Sequence, residues 1–159
     1  MPDREGPVAA NPSVTGVDDS VAPAADPTRQ RSAARNRVLI VDDHAPFRSI
    51  AARLLTADGF VVVGEVADGA AALRVCDELH PDVVMLDVQL PDLDGFAVAA
   101  LLTSRVVPPE VVLMSSRSVT DYGSRIEECC ACGYLAKAEL SGRELRRLLS
   151  SADPSPPGR

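Results

Sequence analysis

Five short apolar runs, each followed by residues of helical period, constrain this chain more than any other feature. Residues 38–41 form a continuous run ending in Asp42-Asp43, the mark of a parallel strand buried on both faces. The second run is 61–63, and the third, 83–86, ends in Asp87. The fourth, 111–114, ends in Ser115-Ser116, and the fifth, 134–136, ends in Lys137. Between the first two, Pro46 suits a first helical turn, and Ile50, Ala51, Leu54 and Leu55 recur at helical spacing until Gly59 stops them. Residues 69–79 put Ala72, Leu73, Val75, Cys76 and Leu79 inward and close at His80-Pro81. Further helices are predicted over 95–104, broken by Pro108-Pro109, over 120–130 and over 142–149. Five βα units in strict alternation predict an α/β three-layer fold around one mostly parallel sheet.

The flanks have a different character. Residues 1–36 hold five prolines and seven alanines, no aromatic residue and no sustained period, so a disordered arm is expected. The segment 151–159, with three prolines, is expected to be a disordered tail. One domain, 37–150, remains; its 17 acidic and 11 basic side chains carry nearly all of the chain's formal charge of −7. That balance argues against binding nucleic acid through phosphate neutralisation. The longest apolar run, 96–102, is far short of the roughly 18 to 20 residues of a membrane span, and the N-terminus shows no secretory signal, so a cytoplasmic protein is expected.

Ligands of parallel α/β sheets bind beyond the carboxyl ends of the strands. Here those ends supply Asp42, Asp43, Asp87, Ser115 and Lys137. Carboxylates gathered so closely repel one another unless a cation lies between them. Mg²⁺, with its preference for oxygen ligands and retained waters, suits two carboxylates, a backbone carbonyl and a phosphate oxygen. Lys137 and Ser115 then match the charge spread of phosphoryl transfer, with an aspartate as the available nucleophile.

The residues that carry this pattern are Val-Leu-Ile-Val-Asp-Asp-His ending at His44, Asp-Val-Gln-Leu-Pro-Asp-Leu-Asp-Gly starting at Asp87, Ser115-Ser116, and Gly-Tyr-Leu-Ala-Lys ending at Lys137. Together they resemble the receiver domain of two-component response regulators over all of 37–150. The resemblance implies a flavodoxin-like fold with five helices and strand order 2-1-3-4-5. It implies that Asp87 is the phospho-acceptor, served by a histidine kinase or phosphotransfer protein. It makes Asp43 a direct Mg²⁺ ligand, Asp42 a ligand largely through water, and Asp87 and the main-chain carbonyl of Gln89 the rest of the set. Ser115 and Lys137 are implied to bind phosphoryl oxygens, and Ser115 and Tyr134 to form a conformational switch read by a downstream protein, with a homodimer possible. Gln89 and Arg117 fall where family members vary phosphate lifetime.

The chain departs from the family in having Ala138 where proline often follows the lysine. It also stops at Arg159, whereas the subfamily it resembles usually continues into a DNA-binding helix-turn-helix domain. A stand-alone receiver that signals through protein contacts rather than DNA is therefore expected. Two other readings use the same residues: a receiver acting as a phosphorylation-independent interaction module, and a small aspartate-nucleophile phosphohydrolase. Asp42 and Asp43 also have an ordinary use as caps of the helix at Pro46. Cys129, Cys130 and Cys132 lack the paired spacing of a zinc site and read as reduced, partly buried thiols. His44 reads as a loop residue, because hard-metal sites prefer oxygen.

Overall fold

The computed structural model describes residues 36–129 and 131–151. The arm and tail expected from the sequence lie outside these residues, apart from Asn36 and Ser151. Both belong to the fold: the Asn36 carbonyl accepts a hydrogen bond from Val61 at 2.7 Å, and Ser151 ends the last helix.

Strands β1 (Arg37–Val41), β2 (Val61–Val66), β3 (Val83–Asp87), β4 (Glu110–Ser115) and β5 (Gly133–Ala136) alternate with helices α1 (Ala45–Ala57), α2 (Gly69–Leu79), α3 (Gly95–Thr103), α4 (Ser124–Glu128) and α5 (Gly142–Ser151). All pairings are parallel, in the order β2-β1-β3-β4-β5. The expected flavodoxin-like order and helix number are both present. The strands run one to three residues beyond the apolar runs, at the leading end in β1 and β5, the trailing end in β2 and β3 and both ends in β4, because backbone pairing does not stop where apolar side chains do.

Alternation along the strands divides the core in two. Val38, Ile40, Val83, Met85, Val112 and Met114 face Ala51 and Leu55 of α1 and Leu145, Leu148 and Leu149 of α5. Leu39, Val41, Val84, Leu86 and Leu113 face Ala72 and Cys76 of α2 and Phe96, Val98, Ala99 and Leu102 of α3. With helices on both faces, the strand ends are the part of the sheet left open to a ligand.

Helical spacing left the buried side of α1 open, and the expectation for the fourth helix needs correction. In α1 only Ala51 and Leu55 are buried; Ile50 and Leu54, at 56% and 41% exposure, lie on the outer side of the helix. The helix predicted over 120–130 is divided. A 3₁₀ turn covers Val119–Asp121, Gly123 adopts φ +56°, and only Ser124–Glu128 is α-helical. Positive φ is cheap for glycine and interrupts the helical hydrogen-bond ladder, which apolar periodicity does not register. No helix among the described residues is long and apolar enough to cross a membrane.

Candidate functional site

Burying a polar side chain is costly, so the buried polar groups of a small fold are informative. Among the described residues they are Asp42, Asp87 and Ser115, all at the carboxyl ends of the three central strands. Asp42 follows β1, Asp87 ends β3, Ser115 ends β4, and the exposed Asp43 stands beside Asp42. One carboxylate oxygen from each of Asp42, Asp43 and Asp87 lies within 4.8 Å of the others, close enough to share one ion.

Lys137, just after β5, holds the cluster together. Its Nζ is 2.5 Å from Asp42 Oδ2 and donates to Asp87 Oδ2 at 3.0 Å. The same ammonium lies 4.8 Å from the centre of the Phe47 ring. The other oxygens are anchored by the backbone: Asp42 Oδ1 accepts from His44 N–H at 2.8 Å, and Asp87 Oδ1 from Gln89 N–H at 3.0 Å. The N-cap of α1 is His44, so Asp42 braces the turn before the helix without being its cap.

Burial raises the pKa of Asp87, and the nearby Asp42 charge adds to the rise, while the Gln89 N–H bond and Lys137 oppose it. For Lys137, burial pulls downward, but the bonds to Asp42 and Asp87 outweigh it and hold the ammonium above its ordinary value. The arrangement therefore favours a permanent cation beside two buried carboxyls. Asp42 Oδ2 is buried and met by Lys137 Nζ alone, so a carboxylate oxygen with more than one lone pair has capacity left for a second cation. The oxygen-only donor set and its spacing fit Mg²⁺.

The loop after Asp87 is closed tightly. Gly95 N–H donates to the Val88 carbonyl at 2.9 Å, and Gln89 pairs with Asp94 in an isolated antiparallel bridge. Asp94 caps α3 through Phe96 N–H at 2.8 Å and forms an ion pair with Arg125. Asp92 accepts from Gly69 and Ala70 N–H at 2.8 and 2.9 Å, joining this loop to the start of α2.

Around Ser115 the structure brings in a residue that the sequence reading missed. Ser115 Oγ lies 2.7 Å from the hydroxyl of Tyr122 and accepts from Arg117 N–H at 3.0 Å. Tyr134 donates its hydroxyl to the Arg117 carbonyl at 2.5 Å, so the backbone of one residue links both expected switch side chains. Tyr122 stands between Phe96 and Tyr134, with ring centres 5.7 and 6.2 Å away. Its value at the site arises from a 3₁₀ turn folding back on β4, which no local pattern announces. Asp92, by contrast, lies within the motif already singled out. The thiols of Cys129 and Cys132 are partly buried, Cys129 donating to the Ile126 carbonyl at 3.0 Å. His44 is exposed at the start of α1.

The fold and the position of the acidic cluster together define the flavodoxin-like class of α/β proteins whose site lies at the carboxyl edge of the sheet. The sequence profile of the response regulator receiver domain matches residues 38–150, and the chain belongs to that family. It is 37% identical over 117 residues to the Probable transcriptional regulatory protein NarL of Mycobacterium tuberculosis, covering 73% of this chain and 54% of that one. It is 44% identical over 107 residues to a protein-glutamate methylesterase/protein-glutamine glutaminase of Anaeromyxobacter dehalogenans, covering 67% of this chain but 30% of the other. The solved receiver domain of the Mycobacterium tuberculosis NarL superimposes with a TM-score of 0.67 at 35% identity, over 76% of this chain and 98% of that domain. The chain thus spans about half the length of NarL and less than a third of the methylesterase.

Proposed function

We propose that this receiver domain accepts a phosphoryl group on Asp87 from the phosphohistidine of a histidine kinase or phosphotransfer protein. The new bond joins an Asp87 carboxylate oxygen to phosphorus as the phosphorus–nitrogen bond breaks, its electron pair leaving with the imidazole. The observation that carries the reading is the concentration of every buried polar side chain among the described residues at one sheet edge, with Lys137 bridging two of them.

The Gln89 N–H fixes the orientation of the Asp87 carboxylate, and Lys137 supplies positive charge where negative charge gathers on the transferring group. Asp42, Asp43, Asp87 and the Gln89 carbonyl would hold Mg²⁺, which when bound would neutralise the carboxylates and phosphoryl oxygens. Ser115 would donate its hydroxyl to a phosphoryl oxygen after transfer. The Arg117 backbone, bonded to both Ser115 and Tyr134, would carry that change to the surface formed by α4, β5 and α5, where a downstream protein binds.

Intact-protein mass spectrometry after incubation with acetyl phosphate tests the reading. A single phosphoryl adduct is expected on the wild type with Mg²⁺, and none without Mg²⁺ or on Asp87→Asn. An unmodified but folded wild type would refute it.

A further inference from the structure

Ser115 can serve a phosphoryl oxygen only if its single proton is free and aimed. A serine hydroxyl has one proton to give and two lone pairs to receive with. The Arg117 N–H occupies one lone pair at 3.0 Å. The Tyr122 hydroxyl, 2.7 Å away, meets the other position. A phenol is much more acidic than an alkyl alcohol, and so is the stronger donor and the weaker acceptor of the two. Either hydroxyl can donate across this contact, and the difference in acidity favours Tyr122 as donor and Ser115 as acceptor. With both lone pairs filled, the Ser115 proton is left for the one remaining tetrahedral direction, where the Tyr134 hydroxyl, its own proton given to the Arg117 carbonyl, is the partner until a phosphoryl oxygen arrives.

We propose that Tyr122 is a positioning residue that sets Ser115 as a committed donor before any phosphoryl group arrives. This inference rests on the reading of Asp87 as phospho-acceptor and adds to it a second tyrosine with a task distinct from that of Tyr134. Tyr122 is suited to the task by its confinement: its ring is packed between those of Phe96 and Tyr134. Phe96 is itself buried and covered by the Arg125 guanidinium at 4.2 Å. Ser115 is only 2% exposed, so water is a poor substitute for the lost phenol. The opposite polarity, with Ser115 donating to Tyr122, would consume the very proton that the phosphoryl group needs. The two arrangements predict effects of opposite sign when the phenol oxygen is removed.

The test is beryllofluoride binding in the presence of Mg²⁺, a stable mimic of an acyl phosphate on aspartate. It is measured on the full chain as wild type, Tyr122→Phe, Ser115→Ala and the double variant. Tyr122→Phe is expected to bind beryllofluoride about five- to tenfold more weakly, the worth of one hydrogen bond. In the Ser115→Ala background the same substitution is expected to change nothing, because no hydroxyl is left to aim. Equal losses in both backgrounds would mean a purely structural role and overturn the proposal, as would unchanged or tighter binding by Tyr122→Phe. Tyr134→Phe, measured in both backgrounds, separates the two tyrosines: a coupling to Ser115 equal to that of Tyr122 would overturn the distinct assignment. If the folded wild type does not bind beryllofluoride at all, the phospho-acceptor reading falls, and the inference with it. If the wild type binds and Tyr122→Phe binds equally, only the inference falls.

Discussion

Replacing Gly95 by alanine sets two physical effects against each other. Gly95 is the first residue of α3, where helix propensity favours alanine by less than the roughly 1 kcal/mol of a helix interior. A Cβ at this position, however, would lie 2.6 Å from Val88 Cα and 2.8 Å from the Val88 carbonyl oxygen, and closer still to the carbonyl of Asp87. Comfortable carbon contacts begin near 3.5 Å. The loop must therefore open by about 1 Å, against backbone that cannot rotate away as a side chain would. Overpacking costs about 1–3 kcal/mol, and an all-backbone clash belongs at the upper end. Opening also strains the Gly95–Val88 hydrogen bond that closes the loop. The net expectation is a loss of about 2–3 kcal/mol, or roughly 10 °C in Tm for a domain of this size. Urea and thermal unfolding followed by far-ultraviolet circular dichroism measure it. Ala97→Gly, at an exposed position of the same helix, calibrates propensity and should cost about 1 kcal/mol. If Gly95→Ala equals or exceeds the wild type in stability, the close approach of α3 to β3 is not what demands glycine, and the reasoning fails.

Burial raises the Cys76 thiol to about 11 from 9.0, so the native state keeps its proton while the unfolded chain loses it between those values. Stability should fall by about 2 kcal/mol from this thiol as pH rises to 11, and urea titrations at pH 8 and pH 11 should show a loss larger by that amount in the wild type than in Cys76→Ala, which keeps the losses due to Tyr134 and Lys137. The Asp87 carboxyl is likewise raised, chiefly by burial, so the folded state holds the extra proton above 3.8 and its charge opposes folding as pH rises. Asp87→Asn should accordingly melt above the wild type at pH 7 in a chelator; a lower Tm would mean that Lys137 and the Gln89 N–H outweigh the cost of burying the Asp87 charge. Added Mg²⁺ should raise the wild-type Tm, by an amount equivalent to about 2.7 kcal/mol at a hundred times its Kd, and by less in Asp43→Asn. Asp58 Oδ2 accepts from Gly142 N–H at 2.8 Å, where α5 begins, so Asp58→Ala should cost about 1 kcal/mol in a urea midpoint measurement.

Much of the site was legible because strand ends are marked in the chain itself. A central parallel strand must be apolar along its length, so the first polar residue after each run has to stand at the carboxyl edge. Asp42, Asp87, Ser115 and Lys137 were readable on that ground, and the structure gathers Asp42, Asp87 and Lys137 into one ion-paired group. Tyr122 was not readable. It reaches Ser115 because Gly123 turns the chain and a 3₁₀ turn folds back, and the helix expected across 120–130 would have carried the side chain elsewhere. The same limit explains Ile50 and Leu54, whose spacing is helical but whose side of α1 faces away from the sheet. Periodicity reports which residues share a face; it does not report how far the neighbouring layer extends over it.

Local pattern is enough to fix the alternation of buried strands and helices and the identity of the groups at their ends. Both follow from local constraints, the burial of apolar runs and the punctuation by glycine and proline. The partners those groups meet come from the packing of the layers: Lys137 shared between Asp42 and Asp87, Asp92 clasping the start of α2, Gly95 pressed against β3, and Tyr122 on Ser115. Hydrogen bonds and ion pairs form over about 3 Å between residues far apart in the chain, at distances set by how whole layers pack and not by the order of residues within any one of them.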